Sequence, residues 1–347
     1  MTNFREISGP KRWLITGGCG FIGLNLIKNL IAEGGHFVRV VDNLSAGTRE
    51  DLAQVCRFSE VDPGNFGNRT SALDAQVTRP GPSSGDVELI VADILDDECA
   101  LKAADGMDLI VHLAANTEVS GSVDDPRSDC LNNVIGTLNY LEAARQHNVQ
   151  RFIFASSVAP IGECEPPVHE EVVPHPVSPY GASKLAGEAY CSAFFRTFGL
   201  ETVALRFSNV YGPLSKRKSS VVAKFIRRTI EGRPLEIYGD GTQTRDFIYI
   251  DDLIQAIRLS AGKSNSGGEI YQIATSAETT IGDLVEKLIP ILADFGIENV
   301  KVLYTAPRLG DIKRSYSDTT KAREKLGWQA EIELVDGLRR TVNWFIK

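Results

Sequence analysis

Short apolar runs alternate with helical segments along the first two thirds of the chain. In a segment such as Leu24 to Ala32 the apolar residues recur every three or four positions, which is the period of an amphipathic helix. Strands that alternate with helices favour a parallel sheet covered by helices on both faces. The pattern therefore predicts an α/β fold with a doubly wound parallel sheet, whose strands lie at 13–16, 37–41, 88–91, 108–113, 151–155 and 201–207.

The pattern changes beyond Pro213. Two helices are expected there, Ser219 to Glu231 and Ile281 to Phe295, and Pro290 should kink or break the second one. Short strands are expected at 235–238 and 300–304.

This change of pattern predicts two domains. The first covers residues 10–213, with 245–260 packing back on it, and a smaller α/β lobe is formed mainly by 214–347. Residues 59–86 interrupt the first domain with prolines and glycines and show no period. We interpret them either as a mobile surface insertion or as a lid or contact loop.

Composition restricts the class of protein. The chain has 347 residues, of which 43% are hydrophobic and 24% charged, and its net charge of −8 argues against a nucleic-acid partner. It shows no apolar run near the roughly 20 residues of a membrane span and no signal-peptide core, so we expect a cytoplasmic protein without a membrane partner. Its six cysteines contain no Cys-x-x-Cys pair and its five histidines show no ligand spacing, so no metal site is expected.

Three glycines lie between the first predicted strand and the following helix. Gly17, Gly20 and Gly23 permit a tight turn whose backbone can approach a diphosphate at the helix N-terminus. The second strand ends at Asp42, nineteen residues after Gly23, where a carboxylate binds the ribose hydroxyls of NAD. The same carboxylate would repel the additional phosphate of NADP, so the pattern predicts NAD as cofactor.

A second candidate for chemistry is Tyr180 with Lys184. Four residues make about one helical turn, so the phenol and the ammonium should share one helix face. A nearby cation favours the phenolate, and the pair can then act as a general base near neutral pH. His112 ends an apolar strand, and we interpret it as a packed or hydrogen-bonded residue rather than as a base.

Taken together, these motifs resemble those of the extended short-chain dehydrogenase/reductase family, and within it the nucleotide-sugar epimerases and dehydratases. The resemblance covers nearly the whole chain and implies a Rossmann domain with a substrate-binding lobe. The motifs that carry it are TGGCGFIG at 16–23, DNL at 42–44, DI at 93–94, HLAA at 112–115, SS at 156–157, PYGASK at 179–184, RFSNVYGP at 206–213, TRDF at 244–247 and RLGD at 308–311.

The resemblance also implies binding residues. Those expected at NAD are Gly17, Gly20, Phe21, Ile22, Gly23, Asp42, Asn43, Asp93, Ile94, Leu113, Ala114, Ala115, Asn132, Tyr180, Lys184 and Phe207. Those expected at a nucleoside-diphosphate sugar are Thr117, Asn209, Arg245, Arg308 and Ser315. The two arginines would grip the diphosphate, because a guanidinium can donate to two phosphate oxygens at once.

Residues after the predicted catalytic serine indicate the reaction. The family's catalytic serine or threonine lies five positions before a glycine, which is Gly162 here. The resemblance therefore implies Ser157 as the catalytic serine, with Ser156 as the alternative. Dehydratases of the family carry Asp and Glu directly after this residue, and decarboxylases carry a Glu two residues after it. Here Val158 and Ala159 stand there, and neither can transfer a proton. This favours a C4 epimerase, with Ser157, Tyr180 and Lys184 as catalytic residues.

Two alternatives stay open. Glu118 could serve as a substitute acid, which would allow a 4,6-dehydratase or a UDP-glucuronate decarboxylase. A non-catalytic NAD-binding regulator is the other alternative, and the intact Tyr180, Lys184 and Ser157 argue against it.

Substrate size and assembly follow from the resemblance as well. Ser315, seven positions after Arg308, is small and would leave room for a 2-acetamido group, as in UDP-GlcNAc and UDP-GalNAc; plain UDP-hexoses or UDP-uronates are alternatives. A one-residue shift would instead place Tyr316 there. A homodimer is expected through the helix after Asn132 and the helix of Tyr180, unless their apolar residues simply face the sheet. These residues are Leu138, Leu141, Ala144, Leu185, Ala189 and Phe195.

Overall fold

The computed structural model describes residues 9, 11–62, 87–307 and 312–347. The strands are β1 Arg12–Thr16, β2 Phe37–Asp42, β3 Ser59–Glu60, β4 Val87–Val91, β5 Leu109–His112, β6 Arg151–Ser157, β7 Glu201–Phe207, β8 Asn209–Tyr211, β9 Leu235–Tyr238, β10 Thr244–Arg245, β11 Phe247–Tyr249, β12 Glu269–Ile273, β13 Thr279–Thr280 and β14 Val302–Thr305. The α-helices are α1 Phe21–Glu33, α2 Arg49–Ala53, α3 Asp97–Ala104, α4 Val119–Asp124, α5 Pro126–Cys130, α6 Gly136–Gln146, α7 Pro179–Phe198, α8 Val221–Ile230, α9 Ile250–Gly262, α10 Ile281–Asp294 and α11 Leu334–Ile346. Short helical turns of other types lie at Leu131–Ile135, Ala159–Ile161 and Ala322–Leu326.

An eight-stranded sheet with the order β12-β7-β6-β5-β1-β2-β4-β3 confirms the predicted doubly wound fold. β1 pairs in parallel with β2 on one side and with β5 on the other. The chain therefore builds the sheet outward from β1 in one direction and then in the other. In open α/β sheets ligands bind beyond the carboxyl ends of the strands at this switch point.

All six predicted sheet strands are present, and two edge strands were missed. β3 is only two residues long and exposed, so it has no apolar pattern to detect. β12 carries a fully buried Gln272 among its apolar residues, which interrupts the hydrophobic run.

Contacts divide the chain into two compact units. The first comprises residues up to Ser156, Ser178–Ala204 and Ser260–Glu269, and the second comprises Ser157–Val177, Leu205–Leu259 and the chain from Ile270 onward. The units alternate along the chain more finely than the expected division into 10–213 and 214–347, and residues 245–259 lie in the second unit. That one part binds the cofactor and the other the substrate stays a prediction.

In the first unit the central strands are buried on both faces. Leu14, Ile15, Val38 and Val40 are fully inaccessible to solvent, which explains why these strands are continuous apolar runs rather than alternating ones. Both faces of these strands are thus covered, and the carboxyl edge of the sheet is left as the place where a ligand can bind.

In the second unit the predicted elements are found with small shifts. α8 and β9 match their predicted positions, and β14 pairs in parallel with β9. α10 runs through Pro290 without a break, so of the two expected outcomes the break is wrong and the kink stays a prediction. A capping box between Thr280 and Asp283 begins this helix, and its buried apolar face supports the helix on both sides of the proline.

In the part of the chain that the structure describes, no helix combines the length and the apolar character needed to cross a bilayer. The predicted insertion lies largely outside the described residues, because 63–86 are not among them.

Candidate active site

The glycine turn forms a cradle that side chains would fill. Gly17 has φ of 68°, and a Cβ on it would lie 2.8 Å from the backbone nitrogen of Ala114. A Cβ on Gly23 would lie 2.5 Å from Cα of Gly18. α1 begins directly after Gly20, so its first backbone N–H groups lie beside this turn. The cradle fits the diphosphate of a dinucleotide at a helix N-terminus.

Asp42 closes this turn from the neighbouring strand. Its Oδ2 accepts a hydrogen bond from the Cys19 backbone N–H at 2.9 Å, and its Oδ1 accepts one from Leu44 at 2.8 Å. Burial raises the pKa of Asp42, and the two backbone donors oppose that rise. Each carboxylate oxygen has a further lone pair, so Asp42 can still accept bonds from ribose hydroxyls.

Two further predicted cofactor residues lie together beyond β2 and β4. Asn43 Nδ2 donates to Asp93 Oδ2 at 2.9 Å, while Asp93 Oδ1 accepts from the backbone of Leu95. Ile94, the residue after Asp93, is buried and lies against Gly136, whose missing side chain leaves room for it. This group could form one wall of a nucleotide site.

A buried hydrogen-bond network joins the ends of β1 and β5. The hydroxyl Oγ1 of Thr16 accepts from the backbone N–H groups of Leu113 and Ala114, each at 3.2 Å, and lies 2.9 Å from Nδ1 of His112. Nε2 of His112 lies 3.2 Å from Oγ1 of Thr137. The network therefore holds the segment after β5 against the segment after β1.

The network also determines the tautomer of His112. Thr137 donates its single hydroxyl hydrogen to the Asn133 carbonyl at 2.6 Å, so it accepts from Nε2–H of His112. Nδ1 is then unprotonated and accepts from Thr16. Burial lowers the pKa of His112 to about 3, with a smaller contribution from the charge of Lys184. His112 is thus a neutral, hydrogen-bonded residue, as the sequence analysis interpreted it.

Asn133 extends this network to the helix of Tyr180. Its side chain accepts from the backbone N–H of Asn116 at 2.8 Å, and its amide nitrogen lies 3.0 Å from the carbonyl of the same residue and 3.1 Å from Ser183 Oγ. Ser183 in turn donates to the Tyr180 carbonyl at 3.0 Å. The segment after β5 and the first turn of α7 are therefore fixed to one buried amide.

The sequence analysis assigned Asn132 to the cofactor and missed Asn133. Asn132 is half-buried, and its amide donates to the carbonyl of Ser128. Asn133 lies in the π-helical turn between α5 and α6, a type of turn that often occurs at functional sites. Asn133 and Thr137 are four residues apart, about one helical turn, and this spacing was the indication in the sequence that both could face the same network.

α7 presents Tyr180 and Lys184 on one face. The helix begins at Pro179, and the Ser178 side chain caps it by accepting from the Gly181 N–H at 3.1 Å. The Lys184 ammonium lies 5.9 Å from the ring centroid of Tyr180 and donates to the Ala155 carbonyl at 2.9 Å. Lys184 is buried, whereas Tyr180 is partly exposed. This arrangement can stabilise a phenolate that remains accessible to a substrate.

The two serines at the end of β6 differ in their surroundings. The Ser156 hydroxyl is buried and donates to Glu188 Oε1 at 2.6 Å. The Ser157 hydroxyl is partly exposed and accepts from the Ala159 backbone N–H at 3.2 Å, which leaves its own hydrogen available to donate. Of the two candidates, the geometry therefore favours Ser157.

In the second unit, Arg245 and Ser315 lie around Thr244. The Arg245 guanidinium donates to the carbonyls of Thr244 and Ile312, each at 2.7 Å, and the Ser315 backbone N–H donates to Thr244 Oγ1 at 3.3 Å. Arg308, from which Ser315 was counted, lies outside the described residues.

Asn209 and Phe207, also of the second unit, lie next to a buried carboxylate that the sequence analysis did not single out. The Asn209 backbone N–H donates to the carbonyl of Asp246 at 3.0 Å, and Phe207 is buried at the end of β7. Asp246 is fully buried and accepts hydrogen bonds through its side chain from Thr275, Ser276 and Ser317. Burial raises the pKa of Asp246, and these donors oppose the rise.

Thr117 and Glu118 are exposed at the start of α4. Glu118 occupies the N-cap position, but its side chain does not cap the helix. Among the described residues, no three His, Cys, Asp or Glu side chains are grouped so that they could hold a metal ion.

Comparison with known proteins places this geometry in context. The model of the NAD dependent epimerase/dehydratase family matches residues 13–274. UDP-glucose 4-epimerase of Mycolicibacterium smegmatis is 35% identical, over 96% of this chain and 98% of that protein. The solved structure of UDP-N-acetylglucosamine 4-epimerase from Methanobrevibacter ruminantium, in complex with UDP-N-acetylmuramic acid, has a TM-score of 0.82 and 31% identity over 98% of this chain and 99% of that one. DesIV, a dTDP-glucose 4,6-dehydratase from Streptomyces venezuelae with NAD bound, has a TM-score of 0.80 and 29% identity over 96% and 97% of the two chains.

The low pKa of His112 predicts a pH-dependent stability. In the unfolded chain the imidazole takes up a proton below about 6.5, whereas in the folded protein it does so only near 3. Its contribution to the free energy of unfolding is therefore complete above pH 6.5 and is lost as the pH falls, by at most about 1.4 kcal/mol per pH unit. The measurement is the difference in unfolding free energy between wild type and His112→Asn, from pH 7 to pH 4.

We expect this difference to shrink steadily below pH 6.5. A difference that stays constant over the whole range would show that folding does not lower the pKa of His112. Nitrogen chemical shifts from histidine-labelled protein provide an independent check, because the Nε2–H tautomer should persist at pH 5.

Proposed function

Because the chain belongs to the NAD-dependent epimerase/dehydratase family, we propose that it is a 4-epimerase of a nucleoside-diphosphate hexose. The observation that carries this proposal is the pair Val158 and Ala159. Dehydratases and decarboxylases that the chain resembles carry a further proton-transferring group at these positions, and neither side chain here can transfer a proton. Oxidation and reduction at C4 need only one acid–base residue, which Tyr180 supplies.

The proposed chemistry uses three side chains. Tyr180, as phenolate, takes the proton of the C4 hydroxyl and later returns it, which is general acid–base catalysis by one group. Lys184 stabilises the phenolate, because its ammonium lies 5.9 Å from the phenol ring centroid in a buried setting. Ser157 donates a hydrogen bond to the oxygen at C4.

NAD is the cofactor, and when bound it accepts a hydride from C4 and returns it. The glycine cradle and Asp42 fit it, because a Cβ would fill the cradle and the carboxylate keeps free lone pairs. Asp42 would repel a phosphate on the adenosine ribose, which agrees with NAD rather than NADP.

The proposed substrate is a UDP-linked sugar that carries a 2-acetamido group. Arg245 and Asn209 would hold the diphosphate, and Arg308 is proposed as the second arginine from the sequence alone. Ser315, partly buried, would leave room for the acetamido group, whereas Tyr316 at the same place would not. The M. ruminantium structure, a UDP-N-acetylglucosamine 4-epimerase, supports this choice.

A lyase is the second candidate. The similarity to DesIV favours it, as does Glu118, whose exposed carboxylate takes no part in capping α4. A dehydratase or decarboxylase of this kind would use Glu118 in place of the missing groups at 158 and 159.

Product identification separates the candidates. Pure protein is incubated with UDP-, GDP-, CDP- and dTDP-sugars, and the products are analysed by mass spectrometry and NMR. We expect UDP-GlcNAc and UDP-GalNAc to be interconverted without any change of mass, since epimerisation only inverts C4. Tyr180→Phe should lower kcat by at least 100-fold, within the range that general acid–base catalysis contributes.

A product that has lost one water or one carbon dioxide would overturn the epimerase assignment and favour the lyase. Conversion of plain UDP-hexoses with exclusion of acetamido sugars would leave the reaction intact and contradict the assignment of Ser315.

We also propose a homodimer, which the outward faces of two helical segments support. Leu131, Ile135 and Leu138 follow one another at helical spacing, and the first two are 42% and 40% exposed. The outer face of α7 carries small residues that permit close helix approach, namely Ala182, Ala186, Ala189 and Ala193. Of the residues expected at the interface, Leu141 and Ala144 are fully buried within the protomer and cannot take part.

Light scattering at micromolar concentration tests the dimer. We expect twice the mass of the chain for wild type, and the mass of one chain for Ile135→Asp, because the substitution buries a charge in the apolar contact. Ile230→Asp is the matched control, since Ile230 is also an exposed isoleucine, 45% accessible, but lies on α8. A wild type that is monomeric, or an Ile135→Asp variant that stays dimeric, would contradict the proposal.

A further inference from the structure

Glu188 is a buried carboxylate that the chemistry described above does not use. It lies on α7, is 2% exposed, and its Oε1 accepts a hydrogen bond from the buried hydroxyl of Ser156. The distance of 2.6 Å lies in the short range of bonds between a hydroxyl and a charged carboxylate. A charged group in such a setting is costly unless it is paired, so its presence calls for an explanation.

α7 contacts three consecutive residues of β6 through one face. Gly187 lies against the Phe154 ring, which occupies the space that a side chain on Gly187 would need. Lys184 donates to the Ala155 carbonyl, and Glu188 accepts from Ser156. The helix is thereby fixed in register on the last residues of the strand, and the next residue along the chain is Ser157.

Lys184 and Glu188 are one helical turn apart, which places their Cβ atoms about 6 Å from each other. Both are buried, so their charges interact in a medium that screens them little. The other titratable groups near them are the neutral His112, the thiol of Cys191 and Tyr180. The pKa of Cys191 is raised mainly by burial and also by the charge of Glu188. Among these groups Glu188 is the carboxylate, and it offers the ammonium a negative charge on its own helix face in addition to the proposed phenolate of Tyr180.

We propose that Glu188 is a positioning residue of the active site: its carboxylate holds Lys184 and, through Ser156, the end of β6 in the arrangement that the reaction at C4 requires. This inference rests on the proposed epimerase function. It predicts an effect on kcat rather than on KM, because Glu188 acts through groups at the reacting carbon and not through the groups that bind the nucleotide.

Two substitutions test it. Glu188→Gln keeps the size of the side chain and an oxygen for Ser156 but removes the charge. Ser156→Ala removes the donor and leaves the carboxylate. The matched control is Glu201→Gln, because Glu201 is also buried, at 8% exposure, and is paired with Arg151 at 3.2 Å, in a contact that involves neither Ser156 nor Lys184. For each variant kcat, KM, Tm and the amount of copurified NAD are measured.

We expect kcat to fall at least 10-fold in Glu188→Gln and several-fold in Ser156→Ala, with KM changed less than 3-fold and with Tm and NAD content close to wild type. The double variant should be no slower than the slower single variant, because both substitutions disturb one contact. Glu201→Gln should lower Tm but leave kcat unchanged.

A Glu188→Gln variant with the kcat of wild type would overturn the inference. So would losses of kcat and Tm in Glu188→Gln that Glu201→Gln shows to the same extent, because any loss of stability would then slow the enzyme and Glu188 would be merely structural. If Glu188→Gln does not yield folded protein, a normal kcat in Ser156→Ala overturns the inference by itself. A wild type that converts no nucleotide sugar would overturn the proposed function and this inference together, whereas an active wild type with an unaffected Glu188→Gln overturns the inference alone.

Discussion

In the first unit, the hydrogen bonds of one neutral imidazole hold the ends of two neighbouring strands and a helix together. His112 donates through Nε2 to Thr137 and accepts through Nδ1 from Thr16, so the ends of β1 and β5 and the helix that follows them are fixed by one ring. Asn133 continues this network to the first turn of α7. A charged imidazole would carry a hydrogen on both ring nitrogens, and Nδ1 could no longer accept the hydrogen bond that the Thr16 hydroxyl donates. The position of these segments therefore depends on a histidine that stays neutral.

In contrast to this neutral network, α7 carries two buried charged side chains. Lys184 and Glu188 are buried one turn apart, and Tyr180 lies one turn before Lys184 at the more accessible end. Buried charges are costly unless they are paired or hydrogen-bonded, and here each of the two is hydrogen-bonded to one of the last residues of β6. The same contacts that stabilise the helix on the strand therefore determine where the ammonium lies relative to the phenol.

Much of this could be predicted from sequence because it depends on local patterns. Buried parallel strands appear as apolar runs, and the glycine turn, Asp42 and the spacing of Tyr180 and Lys184 are short-range features. Asn133 and Asp246 were missed because their importance comes from partners distant in the chain, such as Asn116 and Thr275. The break expected at Pro290 is absent, because the buried apolar face of α10 outweighs the loss of one backbone hydrogen bond. The sequence favoured Ser157 over Ser156 by its position before Gly162, and the structure adds a physical reason, because the hydroxyl of Ser156 is engaged by Glu188.

In the proposed reaction C4 is oxidised and then reduced again by return of the same hydride, with Tyr180 exchanging only the hydroxyl proton. The most direct measurement follows a nucleotide sugar that carries deuterium at C4 through one conversion in ordinary water, with the position of the label read by NMR. We expect an epimer that retains the deuterium at C4, and no uptake of deuterium at C4 when unlabelled sugar is converted in heavy water. Loss of the label to solvent, or its appearance at another carbon of the sugar, would contradict it.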